Sequence, residues 1–285
     1  MEIKVNESDV RIDKYLASVT DYSRETITKM IEESYILVNN KVIKPSYKVK
    51  ENDSILIKDG FVKEMNLEAT KMDIDIVYED AYLMVINKPS GLVVHPGAGN
   101  FNNTLVNGLL YYNKTLSKGE DFRPGVVHRL DKDTSGLVLF AKNEKVKYDL
   151  QRNWQNVERK YYAVVSGKLN ENNGTLKDFL YETKGLDVVV TNIKKIGKLA
   201  ITNFNVIENN NKYSLLDINI ETGRRNQIRV QLANIGHPII GDKKYGKVKY
   251  KRMMLEAYYL KFVHPVTKKV CYAELPLNND FEKLF

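Results

Sequence analysis

The chain has little cysteine, tryptophan or histidine, and no long hydrophobic run. One cysteine in 285 residues, Cys271, excludes an internal disulfide and suits a reducing compartment. The four histidines, His95, His128, His237 and His264, are scattered without the paired spacing of metal ligands, so no metal site is expected. No stretch of 18 apolar residues could cross a membrane, and MEIKVNESDV has no apolar signal core. The expected location is therefore the cytoplasm. The phosphate-cradling patterns GxxxxGK[ST] and GxGxxG are missing, as is the GxSxG turn of a nucleophile-elbow hydrolase. HPGAGN at 95–100 is glycine-rich but has the wrong spacing for any of them.

What is present is an ample apolar complement and an excess of base. Hydrophobic residues make up 43% of the chain, enough for one large domain or two unequal ones. Lys and Arg outnumber Asp and Glu by 44 to 36, a net charge of +8. That balance fits a polyanionic partner, nucleic acid being the usual one, and also fits an ordinary basic protein.

The pattern divides the chain. In RIDKYLASV, Ile12, Tyr15, Leu16 and Val19 share a helical face. Ser23 is placed to cap a second helix, RETITKMIEES, with Ile27, Met30 and Ile31 inward. ILVNNKVI reads as a hairpin about Asn39-Asn40, and VKENDSILI as a turn and strand. Residues 1–60 thus form a helix–helix–hairpin–strand unit. It holds ten bases against eleven acids, so any RNA contact there is a patch, such as the acid-free lysines 41, 44, 48 and 50. A solvated hairpin edge is the other reading of those lysines. Residues 61–72 have weak patterning and read as a linker.

Residues 73–285 are denser. DIDIVYED, YLMVINKPSGLVV, RKYYAVVSG and YSLLDINIETG read as strands, with Tyr161, Ala163 and Val165 on one face of the third. NTLVNGLLYY reads as a helix, as does the stretch that brings Val146, Leu150 and Trp154 to one side. QIRVQLANIGHP reads as a helix with Ile228, Leu232 and Ile235 inward, stopped by Gly236 and Pro238. Strands dominate and helices fall irregularly among them. The expectation is an α+β fold on a mainly antiparallel sheet.

Two polar clusters stand out. HRLDKDTS, between GVV and GLVLFA, packs Arg129, Asp131, Lys132 and Asp133 between segments that want burial. Most such loops are turns whose Asp and Ser cap backbone N–H groups, but loops held on rigid flanks are also where reactive groups sit. A lone carboxylate here, Asp131 or Asp133, could act as nucleophile or base if a cation kept it ionised. GRRNQIRV offers such cations. Arg225 and Arg229 are spaced i, i+4 on the expected helix, and Arg224 and Arg225 lie near its N-terminus, which favours anions. A surface salt-bridge network is the plainer reading.

Taken together, HRLDKDTSGLVLFAK, INKPSGLVVHPGAGN, RKYYAVVSG and ETGRRNQIRVQLANIGHPIIGDKKYG resemble, in order, the blocks of the RluA-type pseudouridine synthase family. HPGAGN combined with the N-terminal unit is most similar to its RluD-like subfamily of large-subunit rRNA synthases. That N-terminal unit resembles the RNA-binding module named after the fourth small-subunit ribosomal protein. The resemblance implies isomerisation of uridine in RNA to pseudouridine, with no cofactor and no metal. It implies Asp131 as the reacting aspartate, Tyr161 as the active-site tyrosine, Arg229 as the base paired with Asp131, and Arg129 as the arginine entering the RNA stack. Arg11, Lys14, Ser23, Arg24, Lys48, Arg224 and Arg225 are the further candidate RNA contacts. The family usually has histidine where this chain has Asn226 and Gln231. Six bases in KKYGKVKYKR (243–252) are expected to border the RNA path. RNA, as large-subunit rRNA or an assembling subunit, is the expected partner, and nothing calls for more than a monomer. The rival reading is an RNA-binding assembly factor on a synthase fold that has ceased to catalyse.

Overall fold

A computed structural model describes the chain except residues 21, 23, 60, 62–66, 98–101, 114–123, 184 and 186, and the side chain of 25. Ser23 lies outside the described residues. The contacts divide the chain into two units, Met1–Asn66 and Leu67–Phe285.

In the first unit, helices α1 (Ile12–Val19) and α2 (Arg24–Glu32) accompany strands β1 (Glu2–Lys4), β2 (Ile36–Val38), β3 (Lys41–Val42) and β4 (Ser54–Ile57). The strand order is β1-β4-β2-β3, antiparallel throughout. Asn39 and Asn40 both have positive φ, 51° and 62°, which Asn tolerates and a two-residue hairpin demands. Ile12, Leu16, Ile27, Met30, Ile31, Ile36 and Ile55 make the core. Two expectations change. Val19 is 49% exposed, because α1 ends there and the chain leaves the core. The three-residue β1 carries too short an alternation to be read from sequence.

The second unit is built on one sheet. Its strands are β5 (Asp75–Glu79), β6 (Leu83–Lys88), β7 (Ser135–Ala141), β8 (Glu158–Ser166), β9 (Asn173–Glu182), β10 (Val188–Thr191), β11 (Lys198–Asn209), β12 (Tyr213–Ile220), β13 (Leu255–Val263) and β14 (Val270–Glu274). They run β10-β9-β11-β12-β8-β13-β7-β6-β5, with β14 beside β13. Among the described pairings only β13 with β7 is parallel, so the fold is the mainly antiparallel α+β expected. Helices α3 (Leu105–Tyr112), α4 (Glu144–Arg152), α5 (Gln227–Asn234) and α6 (Asn279–Glu282) are added to it. Alternation along β6 explains why its run is apolar throughout. Met84 and Ile86 join one core with Leu105 and Leu109 of α3, while Leu83 and Val85 join another with Val146 and Leu150 of α4. Leu67 packs on the first of these cores, and the Thr70 N–H donates to Asn107 O at 3.0 Å, so 67–72 is tied to this unit.

The parallel seam is narrow: Glu256 faces Ser135, and Ala257 faces Gly136. Gly136 has φ +107°, and a Cβ there would lie 2.2 Å from Ala257 O. Only glycine allows this approach.

Candidate active site

The HRLD segment runs directly into β7, and its main chain is pinned from behind. Thr134 N–H donates to Asp131 O at 3.2 Å, closing a turn. Lys88, at the end of β6, is fully buried and donates to three carbonyls: Pro89 O and Leu92 O at 2.9 Å, and Lys132 O at 3.1 Å. Gly91 N–H also donates to Lys132 O, and Ser90 Oγ donates to Asp133 O at 2.6 Å. Burial pushes the Lys88 ammonium down to about 8, against the pull of Asp133 and Asp131. All three of its protons are engaged. A Lys88→Met variant takes the ammonium donor from Pro89 O and Leu92 O and leaves Lys132 O with Gly91 N–H alone, and we expect it to lose about 1–3 kcal/mol in urea unfolding. Stability equal to the wild type would mean that the lysine does not hold the loop.

His128 fixes the other end of the loop. Its Nε2 accepts from Leu139 N–H at 2.9 Å, and its ring stacks on Trp154 at 4.2 Å. Burial, then the charge of Arg159, pushes its pKa down to about 3. The folded value lies below the unfolded one, near 6.5. The contribution of His128 is thus complete above pH 6.5 and declines as pH falls from there towards 3. Between pH 7 and 4.5 this is expected to remove about 1–2 kcal/mol, discounted because the ring is only partly buried. Urea melts at the two pH values should show a smaller drop for His128→Gln; an equal drop would assign the acid sensitivity elsewhere.

Arg229 approaches from α5. Sequence spacing puts Arg225 and Arg229 on one helical face, but α5 begins only at Gln227, after Asn226 in a left-handed conformation (φ 53°). The kink sends Arg225 outward to an ion pair with Glu182 and leaves Arg229 inward, 7% exposed. Ile235 likewise falls at the helix end and is exposed, while Ile228 and Leu232 are buried. Gly236, with φ 84°, follows the helix end. The Arg229 guanidinium meets Asp242 with two bonds, Nε to Oδ2 at 2.7 Å and Nη2 to Oδ1 at 2.8 Å. Its Nη1 donates to Asp131 Oδ2 at 3.2 Å and to Asn226 Oδ1 at 3.1 Å. Burial alone would lower the Arg229 pKa, but the two carboxylates, Asp242 first, raise it instead. Burial alone would raise Asp242; Arg229 and the N–H groups of Lys244 and Tyr245 hold it low. The pair is therefore ionised at neutral pH.

Asp131, Arg229 and Tyr161 line one cavity of about 330 Å³, together with Arg129, Arg224 and Trp154. Tyr161 on β8 is 8% exposed. Burial pushes its phenol up to about 12, Arg159 opposing and Asp131 adding, so it is protonated at neutral pH. A second cavity of about 740 Å³ is lined by Lys88, Asp133 and Ser135. It is larger, yet it holds neither Asp131 nor Arg229. The structure thus separates the two acids of the loop: Asp131 faces a buried arginine, Asp133 the other cavity. A carboxylate paired with a buried arginine beside a neutral phenol can attack or stabilise an electron-poor carbon and hold an aromatic ring against it.

The remaining candidates divide. Arg129 is exposed, with Nη1 3.1 Å from His95 Nε2, and His95 Nδ1 lies 2.8 Å from Pro96 O, so Nδ1 carries the ring proton and Nε2 accepts from the arginine. Arg224 Nε donates to Leu199 O at 3.0 Å. In the first unit, Arg11 and Arg24 converge on the buried Asp13 at 3.1 and 2.6 Å, Arg11 bridges Lys48 through the backbone, and Lys14 is exposed. Lys48 also pairs with Asp9 at 3.4 Å. Sequence reasoning gave no site role to Lys88, His128, Arg159 or Asp242, and took Tyr245 only as an aromatic interleaved with the basic run 243–252. NKP and GDKKYG are visible as motifs, but which carbonyl or cation each residue meets is decided by the fold. Among the described residues no group of three or more His, Cys, Asp or Glu is placed to hold a metal, and no helix is long and apolar enough to cross a membrane.

Comparison with known proteins identifies the family. The RNA pseudouridylate synthase family matches residues 82–234, and the S4 domain matches 10–55. An uncharacterized RNA pseudouridine synthase of Bacillus subtilis is 39% identical, over 96% of this chain and 92% of that protein. Ribosomal large subunit pseudouridine synthase D of Haemophilus influenzae is 36% identical, over 99% and 92%. The solved structure of human RNA pseudouridylate synthase domain containing 1 shares the fold, with TM-score 0.59 and 23% identity over 75% of this chain and 86% of that one. By the extent of these matches, and with the order of its blocks intact, the chain belongs to the RNA pseudouridylate synthase family and carries an S4 domain ahead of the synthase domain.

Proposed function

We propose that this enzyme isomerises specific uridines of large-subunit ribosomal RNA, with Asp131 as the reacting carboxylate. The contact of Arg229 Nη1 with Asp131, in a cavity of single-base size beside Tyr161, carries the reading. Likeness to proteins named ribosomal large subunit pseudouridine synthase D supports the substrate class.

A uridine stacked in RNA is out of reach of such a cavity and must first be extruded, at a cost of roughly a few kcal/mol. Phosphate contacts offset that cost; Arg224 at the cavity, and Arg11, Lys14, Arg24 and Lys48 on the S4 domain, are the proposed donors, with Ser23 outside the described residues and Arg225 held to Glu182. Arg129 would fill the gap left in the stack. In the cavity, the Arg229 Nη1 contact holds Asp131 aimed at the sugar. The bond from ribose C1′ to uracil N1 breaks as Asp131 bonds to C1′ or neighbouring charge is stabilised. The uracil turns, C5 bonds to C1′ as any Asp131–C1′ bond breaks and returns the free carboxylate, the C5 hydrogen leaves as a proton and N1 takes one up. Tyr161, a neutral phenol at rest, stacks on the turning base; to act as a base at ribose C2′ it must first give up its proton.

The test is to incubate the purified enzyme with unmodified large-subunit rRNA and map pseudouridine by chemical labelling and primer extension. New stops at discrete uridines are expected. Their absence on both free rRNA and precursor subunits, with tight binding retained, would leave only the assembly-factor role.

A further inference from the structure

We propose that Asn226 and Tyr245 are positioning residues for this reaction: together they hold Arg229 Nη1 on Asp131 and tether that contact to strand β10. The proposal rests on the reading of Asp131 above.

The argument starts from what Asp242 cannot do. Its two oxygens grip the Nε and Nη2 edge of the guanidinium. A two-point ion pair of this kind fixes the plane along one line but lets it fold about that line, as a hinge. The nitrogen farthest from the hinge is Nη1, which meets Asp131. A small fold therefore costs the Asp131 contact while leaving the Asp242 pair intact.

Two groups oppose this motion. Asn226 Oδ1 accepts from Nη1 at 3.1 Å. The Tyr245 ring lies against the guanidinium face, with Cζ 5.2 Å from its centroid. The two are joined: Asn226 Nδ2 donates to Tyr245 Oη at 3.0 Å, and Tyr245 Oη donates to Val188 O on β10 at 3.2 Å. Tyr245 N–H also donates to Asp242 Oδ1 at 3.1 Å. Tyr245 thus touches the hinge, the face and the stop, and anchors all three to the sheet. Asn226 is 8% exposed and left-handed at φ 53°, a conformation asparagine accepts and most side chains resist. Its amide has no proton to titrate near neutral pH, so the stop does not change with pH.

Two variants remove the parts cleanly. Asn226→Gly keeps the left-handed backbone and deletes the stop; Tyr245→Phe keeps the ring and deletes the tether. The side-chain NMR signals of Arg229 are read first, because they report the lock whether or not RNA turns over. Wild type should show slowly exchanging, resolved Nη hydrogens, and Asn226→Gly should average the Nη1 pair while the Nη2 and Nε–H signals, held by Asp242, survive. In turnover on rRNA, kcat should fall about tenfold for Asn226→Gly and about threefold for Tyr245→Phe, with KM within about twofold. A purely structural role would lower thermal stability without this split. Wild-type Arg229 signals and wild-type kcat in Asn226→Gly would overturn the proposal. Wild type that forms no pseudouridine, while the signals still average in the variant, would overturn the reading of Asp131 and uphold the lock.

Discussion

Asp131→Asn is expected to reduce pseudouridine formation by about a thousandfold or more, with RNA affinity nearly unchanged. Asparagine keeps the shape and can still accept from Arg229 Nη1. It has no negative charge to bond with C1′ or to stabilise a positive sugar. The C5 hydrogen leaves as a proton, so tritium placed at C5 of uridine should appear in water with the wild type and stay in RNA with the variant. Asp133→Asn is the control. Asp133 is two residues away and carries the same charge, but it lines the other cavity, and its turnover should remain within about threefold. Comparable losses in the two variants, or turnover above a tenth of wild type in Asp131→Asn, would remove Asp131 from the reacting role.

The largest stability loss is expected at Asp242. Its side chain is wholly buried and supplies both oxygens that meet Arg229. Asp242→Asn leaves a buried guanidinium with half its partner, and Asp131, 30% exposed, as the nearest replacement charge. Removing one member of a buried pair typically costs about 3–5 kcal/mol. Because the chain has two units, urea unfolding should be followed by the fluorescence of Trp154, which reports the second. Activity should fall as well, since an arginine drawn wholly to Asp131 loses its set position. A loss below about 1 kcal/mol would show that the pair is not a structural keystone of α5.

Much of this was readable from residue order, and the exceptions share a cause. Periodicity located α1 through α5 and the paired faces of β8, because helix and strand periods survive in a single segment. It placed Arg225 and Arg229 together wrongly, because the left-handed turn at Asn226 interrupts the helix where the pattern runs on. Asp131 could be told from Asp133 only by resemblance, and geometry then distinguished them: they sit in one turn but face two cavities. Asp242 and Lys88 left no periodic trace. The first works through a residue thirteen positions earlier in sequence, the second through a carbonyl forty-four positions later. A lysine that serves backbone oxygens looks, in sequence, like any surface lysine.

The Gly136 seam sets how much error the site can absorb. At this point β7 touches β13 backbone to backbone, five residues after Asp131. A single methyl group there would wedge the two halves of the sheet apart and carry the start of β7 with it. The HRLD turn is bolted to β6 through Lys88 and to β7 through His128, so the displacement would pass into the turn instead of dissipating in a flexible loop. The rigidity that fixes the turn also removes the slack that would absorb a shift, so the position proposed for the Asp131 carboxylate is referenced to a seam with no room for a Cβ.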